Sequence, residues 1–435
     1  MLIWNKEMEC LKRNKLEELQ LSKLKKTVAK VYYHVPHYRA KMDAIGLKPQ
    51  HIQTLKDLAL LPFTVKDDLR ANYPFGLFAE PRENIVRVHA SSGTTGKPIV
   101  VGYTQNDINN WTELVARMVT QAGITNHDIA QIAFSYGLFT GGFGLHYGLE
   151  KVGAMVVPIS GGNTEKQLML MQDFGTTTLI ATPSYSLHVA EVAAQMGLDM
   201  MKLKLRTGLF GGEPWTNEMR AEIEKRLCII ATDNYGLSEV IGPGVAGECT
   251  YATGMHIAED HFIAETINPE TGEVLPPGSE GELVFTSLEK EAFPVLRYRT
   301  KDLSVINQDP CACGRTSARM RKISGRADDM LIIRGVNVFP SQIESVLMTV
   351  EGIGPHYQIN LYKKGYLDEI EVMVELADSS LLERYKELEV LSNTLRQKLY
   401  NVLGLNAKVR LVEPFSITRS PGKAQRVVDK RGQTV

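Results

Sequence analysis

Along the first 45 or so residues Leu11, Leu16, Leu19 and Leu24 recur among lysines and glutamates, a spacing that predicts a surface helical layer. Beyond about residue 85 short apolar runs alternate with helical patterns. Thr178–Ala181 reads as a buried strand. Thr182 then supplies an N-cap and Pro183 a first helical residue. Val189, Val192, Ala193 and Met196 follow at helical spacing, and Gly197 can end the helix. Ala154–Val157 reads as a strand ahead of Gly161–Gly162, and Leu227–Ile230 as another, leading into Asp233–Gly236. Such alternation predicts a mostly parallel α/β sheet, whose ligands sit at the loops after the carboxyl ends of the strands.

Between residues 255 and 310 the helical pattern fades. Glu280–Phe285 and the turn Pro276–Gly278 suggest an antiparallel β region. After about 325 the style changes again. Ile370, Val372, Val374 and Leu376 alternate with polar positions, as in a strand buried on one face. Leu388, Leu391, Leu395, Leu399 and Val402 mark an amphipathic helix closed by Gly404. The predicted fold is α/β: a large N-terminal domain of parallel α/β sheets plus a β region (1–326), and a small α+β C-terminal domain (327–435).

Composition changes this picture little. Apolar residues make up 43% and charged residues 23% of the 435 residues, as in a globular protein, and the formal charge of -1 gives no field toward nucleic acid or a membrane surface. No apolar run approaches a membrane span, and the N-terminus lacks the blocks of a secretory signal, so the expected location is the cytoplasm. Five cysteines do not make a disulfide scaffold in a chain of this length.

The densest local signal is Ser91-Ser92-Gly93-Thr94-Thr95-Gly96-Lys97-Pro98. Glycines let backbone N–H groups approach phosphate oxygens, and the hydroxyls and lysine add donors and charge. It is not a Walker loop, because Ser91 and Pro98 stand where glycine and a hydroxyl residue are required. Read alone, it could also be a flexible surface loop.

This octapeptide resembles the phosphate loop of the adenylate-forming superfamily, which includes acyl-CoA synthetases, adenylation domains and luciferases. Further segments resemble its motifs in order: Tyr235–Glu239, Tyr298–Asp302, Gly325–Met330 and Ser420–Arg426. Tyr136–Gly142, Pro158–Glu165, Gly211–Trp215 and Asp329–Pro340 are similar to the phenylacetate-CoA ligase branch. The resemblance implies ATP-dependent adenylation of a small aromatic carboxylic acid, release of pyrophosphate, and acyl transfer to coenzyme A. It implies Lys423, Glu239 and Thr94 as catalytic residues, with Glu239 placing Mg²⁺. The nucleotide site would comprise Ser91 to Lys97, Gly212, Glu213, Pro214, Asp233, Asn234, Tyr235, Gly236, Asp302 and Arg326. Tyr136, Phe139, Gly141 and Gly142 would shape the acyl pocket, small residues leaving room for a flat ring. Asp328, with Arg326, would mark the hinge of a mobile C-terminal domain. A homodimer is the expected assembly.

Each residue also has a plainer reading. Lys423 could be a solvated lysine of a basic tail, Glu239 a loop carboxylate, Asp302 a cap, and the aromatics ordinary core. Transfer to a carrier protein, activity on another aryl acid, or a nucleotide-binding protein without catalysis are the competing functions. Separately, Cys249, His256, Cys311 and Cys313 form a Cys₃His set of the composition that structural Zn²⁺ accepts, if the fold brings them together; otherwise they are free thiols.

Overall fold

The computed structural model describes residues 2–91, 98–334, 336–364, 367–420 and 422–431. Most of the larger unit is built on one 12-stranded sheet. Its parallel half runs in spatial order Ile230–Leu237, Thr207–Gly211, Thr178–Ala181, Ile129–Ile132 and Met155–Val157. Its other half is antiparallel and includes Gly242–Glu248, Met255–Ile257, Phe262–Ile267, Glu280–Ser287 and Tyr298–Asn307. The split follows the sequence: parallel strands need crossover helices, and the helical pattern stops near residue 255.

Thr182 caps helix Pro183–Gln195 by accepting from the Tyr185 amide, and Gly197 follows it at φ +68. The strand expected at Leu227–Ile230 lies further on. Leu227 is instead the last buried residue of helix Asn217–Leu227, and Cys228 stops that helix at φ +57. The strand runs Ile230–Leu237, so Asp233, Asn234, Tyr235 and Gly236 belong to the strand itself. A short apolar run at a helix–strand junction fits either element, which is why periodicity misplaced it.

The N-terminal helices do more than cover the surface. Helix Arg13–His34 buries Leu16, Leu24, Val28 and Val31 and is fixed to the β region by polar bonds. Gln20 and Lys23 donate to the carbonyls of Glu259 and Asp260, and Thr27 to that of Leu288. Among the described residues no helix is long and apolar enough to cross a membrane.

The C-terminal unit has its own core. Buried side chains from Ile333, Ile359, Val372, Leu395 and Leu399 pack as one cluster. Strands Ile353–Lys364 and Leu367–Leu376 pair antiparallel, flanked by Lys408–Val412 and Val427–Asp429, both parallel to their neighbours. Helix Tyr385–Leu403 covers this sheet and ends at Gly404, φ +69, in the left-handed cap its sequence calls for.

Helices Gln105–Gln121 and Thr140–Val152 pack closely because glycine stands at the contact. A Cβ built on Gly148 would lie 2.2 Å from Val115 Cγ1 and 2.9 Å from its backbone carbon. Gly148→Ala is therefore expected to destabilise the chain by about 1–3 kcal/mol, the usual cost of overpacking, read as a lower urea midpoint.

Candidate active site

Strands Arg87–Ala90 and Val100–Tyr103 pair with Ala90 opposite Val100. The loop they carry is pinned at its base: the Ser91 amide donates to Ile99 O at 2.9 Å, and the Ile99 amide to Ser91 Oγ at 3.1 Å. Ser92, Gly93, Thr94, Thr95, Gly96 and Lys97 lie outside the described residues.

The parallel strands deliver their loops to a common end. Gly212 follows strand Thr207–Gly211 at φ +83, a conformation that favours glycine. Next to it, Glu213 accepts the Ser184 amide at 2.7 Å on one oxygen and the Ala424 amide at 2.8 Å on the other. The second bond crosses to the C-terminal unit, so Glu213, expected to line the adenine with Pro214, also holds the segment that carries Lys423. A Cβ on Gly212 would lie 3.8 Å from Lys423 Cε, and the Lys423 ammonium is 6.0 Å from the centre of the Phe139 ring. Lys423 remains exposed to solvent, with protein crowding part of its side chain. That crowding draws its pKa below the ordinary lysine value, against the pull of Glu213, Asp302 and Glu239.

Asp302 is bound by two other residues assigned to the nucleotide site. The Tyr235 hydroxyl donates to Asp302 Oδ2 at 2.7 Å and Arg326 to Oδ1 at 3.0 Å. Burial pushes this carboxyl up, against the pull of Arg326. Arg326 also grips Asp328 through Nε at 2.9 Å and Nη2 at 3.0 Å. Glu239 occupies the tight turn after strand Ile230–Leu237 and is buried, with Tyr298 and Tyr103 nearby. Among the described residues it has no ion pair with a lysine or arginine.

Tyr136 and Phe139 are half-buried. The Tyr136 hydroxyl lies 3.2 Å from His146 Nδ1, and its ring meets Phe143 edge-on at 5.3 Å. Gly141 and Gly142 open less room than expected. A Cβ on Gly141 would meet the Phe139 ring at 2.5 Å, and one on Gly142 would meet Ser135 O at 2.9 Å. Their small size is used by local packing at the start of helix Thr140–Val152.

A cleft of about 1290 Å³ separates the units, lined by Glu213, Trp215, Arg326, Glu344, Tyr357 and Arg426 among others. Lys322 reaches over the Trp215 ring, its ammonium 3.6 Å from the centroid. Burial draws Lys322 down to about 8 and pushes Asp233 up to about 6. Lys322 stands outside every motif, and only its place in the fold singles it out.

The cysteine cluster lies behind one wall of this cleft, where the cleft-lining Thr253 hydroxyl is 3.7 Å from Cys311 Sγ. The ligand atoms of Cys249, His256, Cys311 and Cys313 lie within 4.8 Å of one another. The Cys249 and Cys311 sulfurs are 3.8 Å apart, and Cys313 Sγ is 3.3 Å from His256 Nε2. His256 Nδ1 faces Ser317 Oγ at 3.2 Å.

The Asp233 carboxyl has a pH consequence. Its folded pKa, about 6, exceeds the ordinary 3.8, so between these values the folded chain holds a proton that the unfolded chain has lost. Its contribution to stability therefore falls as pH rises through that window. Asp233→Asn, neutral throughout, is expected to gain stability relative to wild type between about pH 4 and pH 7 in urea titrations.

Two family models match the chain: AMP-binding enzyme over residues 16–288 and AMP-binding enzyme C-terminal domain over residues 335–431. The phenylacetate-coenzyme A ligase of Aromatoleum evansii is 52% identical over 98% of this chain and 96% of its own. That of Escherichia coli K12 is 51% identical over 96% and 95%. Among solved structures, 2-hydroxyisobutyryl-CoA ligase in the postadenylation state with 2-HIB-AMP superposes with a TM-score of 0.92 at 29% identity, covering 98% of this chain and 92% of that one. The same ligase with 2-HIB-AMP and CoA in the thioesterification state gives 0.72 at 30% identity, with the same shares covered. With sequence, fold and cleft in agreement over nearly the whole length, the chain belongs to the AMP-binding enzymes and, within them, to the phenylacetate-coenzyme A ligases, which join an acid to coenzyme A at the expense of ATP by way of an acyl adenylate.

Proposed function

We propose that the chain converts phenylacetate, ATP and coenzyme A into phenylacetyl-CoA, AMP and pyrophosphate. The observation that carries this reading is the Glu213–Ala424 bond, which brings Lys423 of the C-terminal unit within the electrostatic reach of Glu213, Asp302 and Glu239. The acid's carboxylate attacks the α-phosphate and pyrophosphate leaves. The thiol then attacks the acyl carbon and AMP leaves. Negative charge crowds the first step, so a fixed ammonium such as Lys423 stabilises it best where water is scarce. Asp302 accepts the ribose hydroxyls on lone pairs left free by Tyr235 and Arg326. Asp233, Asn234, Tyr235, Gly236 and Pro214 are assigned to the adenine, and Ser91 to Lys97, of which only Ser91 is among the described residues, to the phosphates.

Glu239 suits Mg²⁺: it is a buried carboxylate without a cationic partner among the described residues, and a hard cation prefers a carboxylate together with phosphate oxygens. The ion would neutralise the departing pyrophosphate. Tyr136, Phe139, Gly141 and Gly142 bound the acyl pocket, and Arg326 with Asp328 the hinge. The family resemblance further implies a homodimer, and the five free cysteines suit the reducing cytoplasm.

The Cys₃His cluster is proposed to hold a structural Zn²⁺. Thiolates about a tetrahedral zinc at ~2.3 Å stand about 3.8 Å apart. The Cys249–Cys311 separation of 3.8 Å meets that spacing. Ser317 would orient His256. The ion would tie the β region to the Cys311–Arg315 loop.

Lys423→Ala is expected to slow pyrophosphate exchange by about 10²–10³ while still converting supplied phenylacetyl-AMP to the thioester; equal loss in both steps would overturn its role. A panel of aryl acids assayed with coenzyme A fixes the substrate, and adenylation without thioester would instead indicate a carrier-protein acceptor. Elemental analysis should find one zinc per chain, lost in Cys311→Ser; a well-folded, metal-free wild type refutes the zinc site.

A further inference from the structure

Lys423 sits on a segment between strands Lys408–Val412 and Val427–Asp429 whose described residues form no helix or strand. Its place must come from outside contacts, and beside the Glu213–Ala424 bond these gather along one helix of the larger unit, Pro183–Gln195. At the start of that helix Thr182 Oγ1 donates to Gly422 O at 3.1 Å. Further along, Glu191 receives Arg419, through Nε at 3.1 Å and Nη2 at 3.1 Å. The same guanidinium donates to Glu375 of the C-terminal sheet through Nη1 at 2.8 Å and Nη2 at 2.7 Å. His356 Nε2 lies 2.8 Å from Glu191. The side chains are largely shielded, with exposures of 13% for Arg419, 10% for Glu191 and 3% for Glu375.

We infer that Arg419, shared between Glu191 of one unit and Glu375 of the other, is a latch that positions Lys423 for adenylation and is released for thioester formation. This rests on the adenylation role proposed for Lys423. Glu375 and Arg419 travel together, so the grip of Arg419 on the segment survives when the units part. Glu191 stays behind on the helix. The Arg419–Glu191 half and the His356 contact break together with the Thr182–Gly422 and Glu213–Ala424 bonds, and all can re-form, which makes the latch reversible. A planar guanidinium can serve two carboxylates in this way, and a lysine cannot. The arrangement of units agrees with this assignment: the chain superposes at 0.92 on the postadenylation-state relative and at 0.72 on the thioesterification-state one.

The test compares the two half-reactions in Glu191→Gln, which keeps shape and removes charge. Acyl-AMP formation in single turnover should fall about 10- to 100-fold, the range for a misplaced reacting group, with KM for ATP little moved. Thioester formation from supplied phenylacetyl-AMP and coenzyme A should stay within about twofold of wild type. Arg419→Lys should behave in the same way, and it keeps the experiment decisive if Glu191→Gln folds poorly. In a Lys423→Ala background, Glu191→Gln should have no further effect on adenylation, because the latch acts through the lysine. Additive losses, or equal losses in both half-reactions, overturn the latch. If Lys423→Ala itself fails to separate the half-reactions, the role of the lysine falls instead.

Discussion

Glu213 joins the two units at the point where the chemistry needs them joined. The sheet ends its parallel strands with loops whose amides lack ladder partners, and the lysine segment arrives with amides in the same condition. A carboxylate can accept several donors, and Glu213 takes one from each side: Ser184, at the first turn of helix Pro183–Gln195, and Ala424, beside Lys423. Charged hydrogen bonds of this kind are stronger than neutral ones and are strongest away from water. Asp302, with Tyr235 and Arg326, ties the strands of the larger unit together just ahead of the segment that leads into the C-terminal unit.

Much of this was legible in the residue pattern. Thr182–Pro183, Gly197 and Gly404 announce helix ends through backbone chemistry, and local chemistry survives the packing of the rest. The Leu227–Ile230 segment was misread because its apolar residues finish one element and begin the next. Glu375 shows the opposite limit. It falls in the polar register of an alternating strand, where exposure is expected, yet it is buried beneath Arg419. Nothing in the strand's own pattern encodes a partner 44 residues away. The motif residues could be read because their order along the chain is distinctive. Glu191, Arg419 and Lys322 could not, since their meaning lies in which elements the fold brings together. Gly141 and Gly142 illustrate a subtler point: small residues signal close approach without saying what approaches, and here it is the chain itself.

The first segment of the chain is tied to residues made much later. Arg315, fully buried in the Cys311–Arg315 loop, donates to the Glu9 carboxylate and to Leu2 O; Thr316 donates to Glu9 O and Leu11 O. Arg13 pairs with Glu259 in a two-pronged bond. Glu9 and Arg315 are 306 residues apart. On a ribosome the earliest residues therefore wait, their charged partners missing, until about three-quarters of the chain has emerged, on the order of half a minute at typical rates. Helix Arg13–His34 can form early and pack on the helix Pro36–Ala44 that follows it, but its polar bonds to Glu259, Asp260 and Leu288 wait for the β region. Glu9 and Arg13 are thus made well before the partners that secure them.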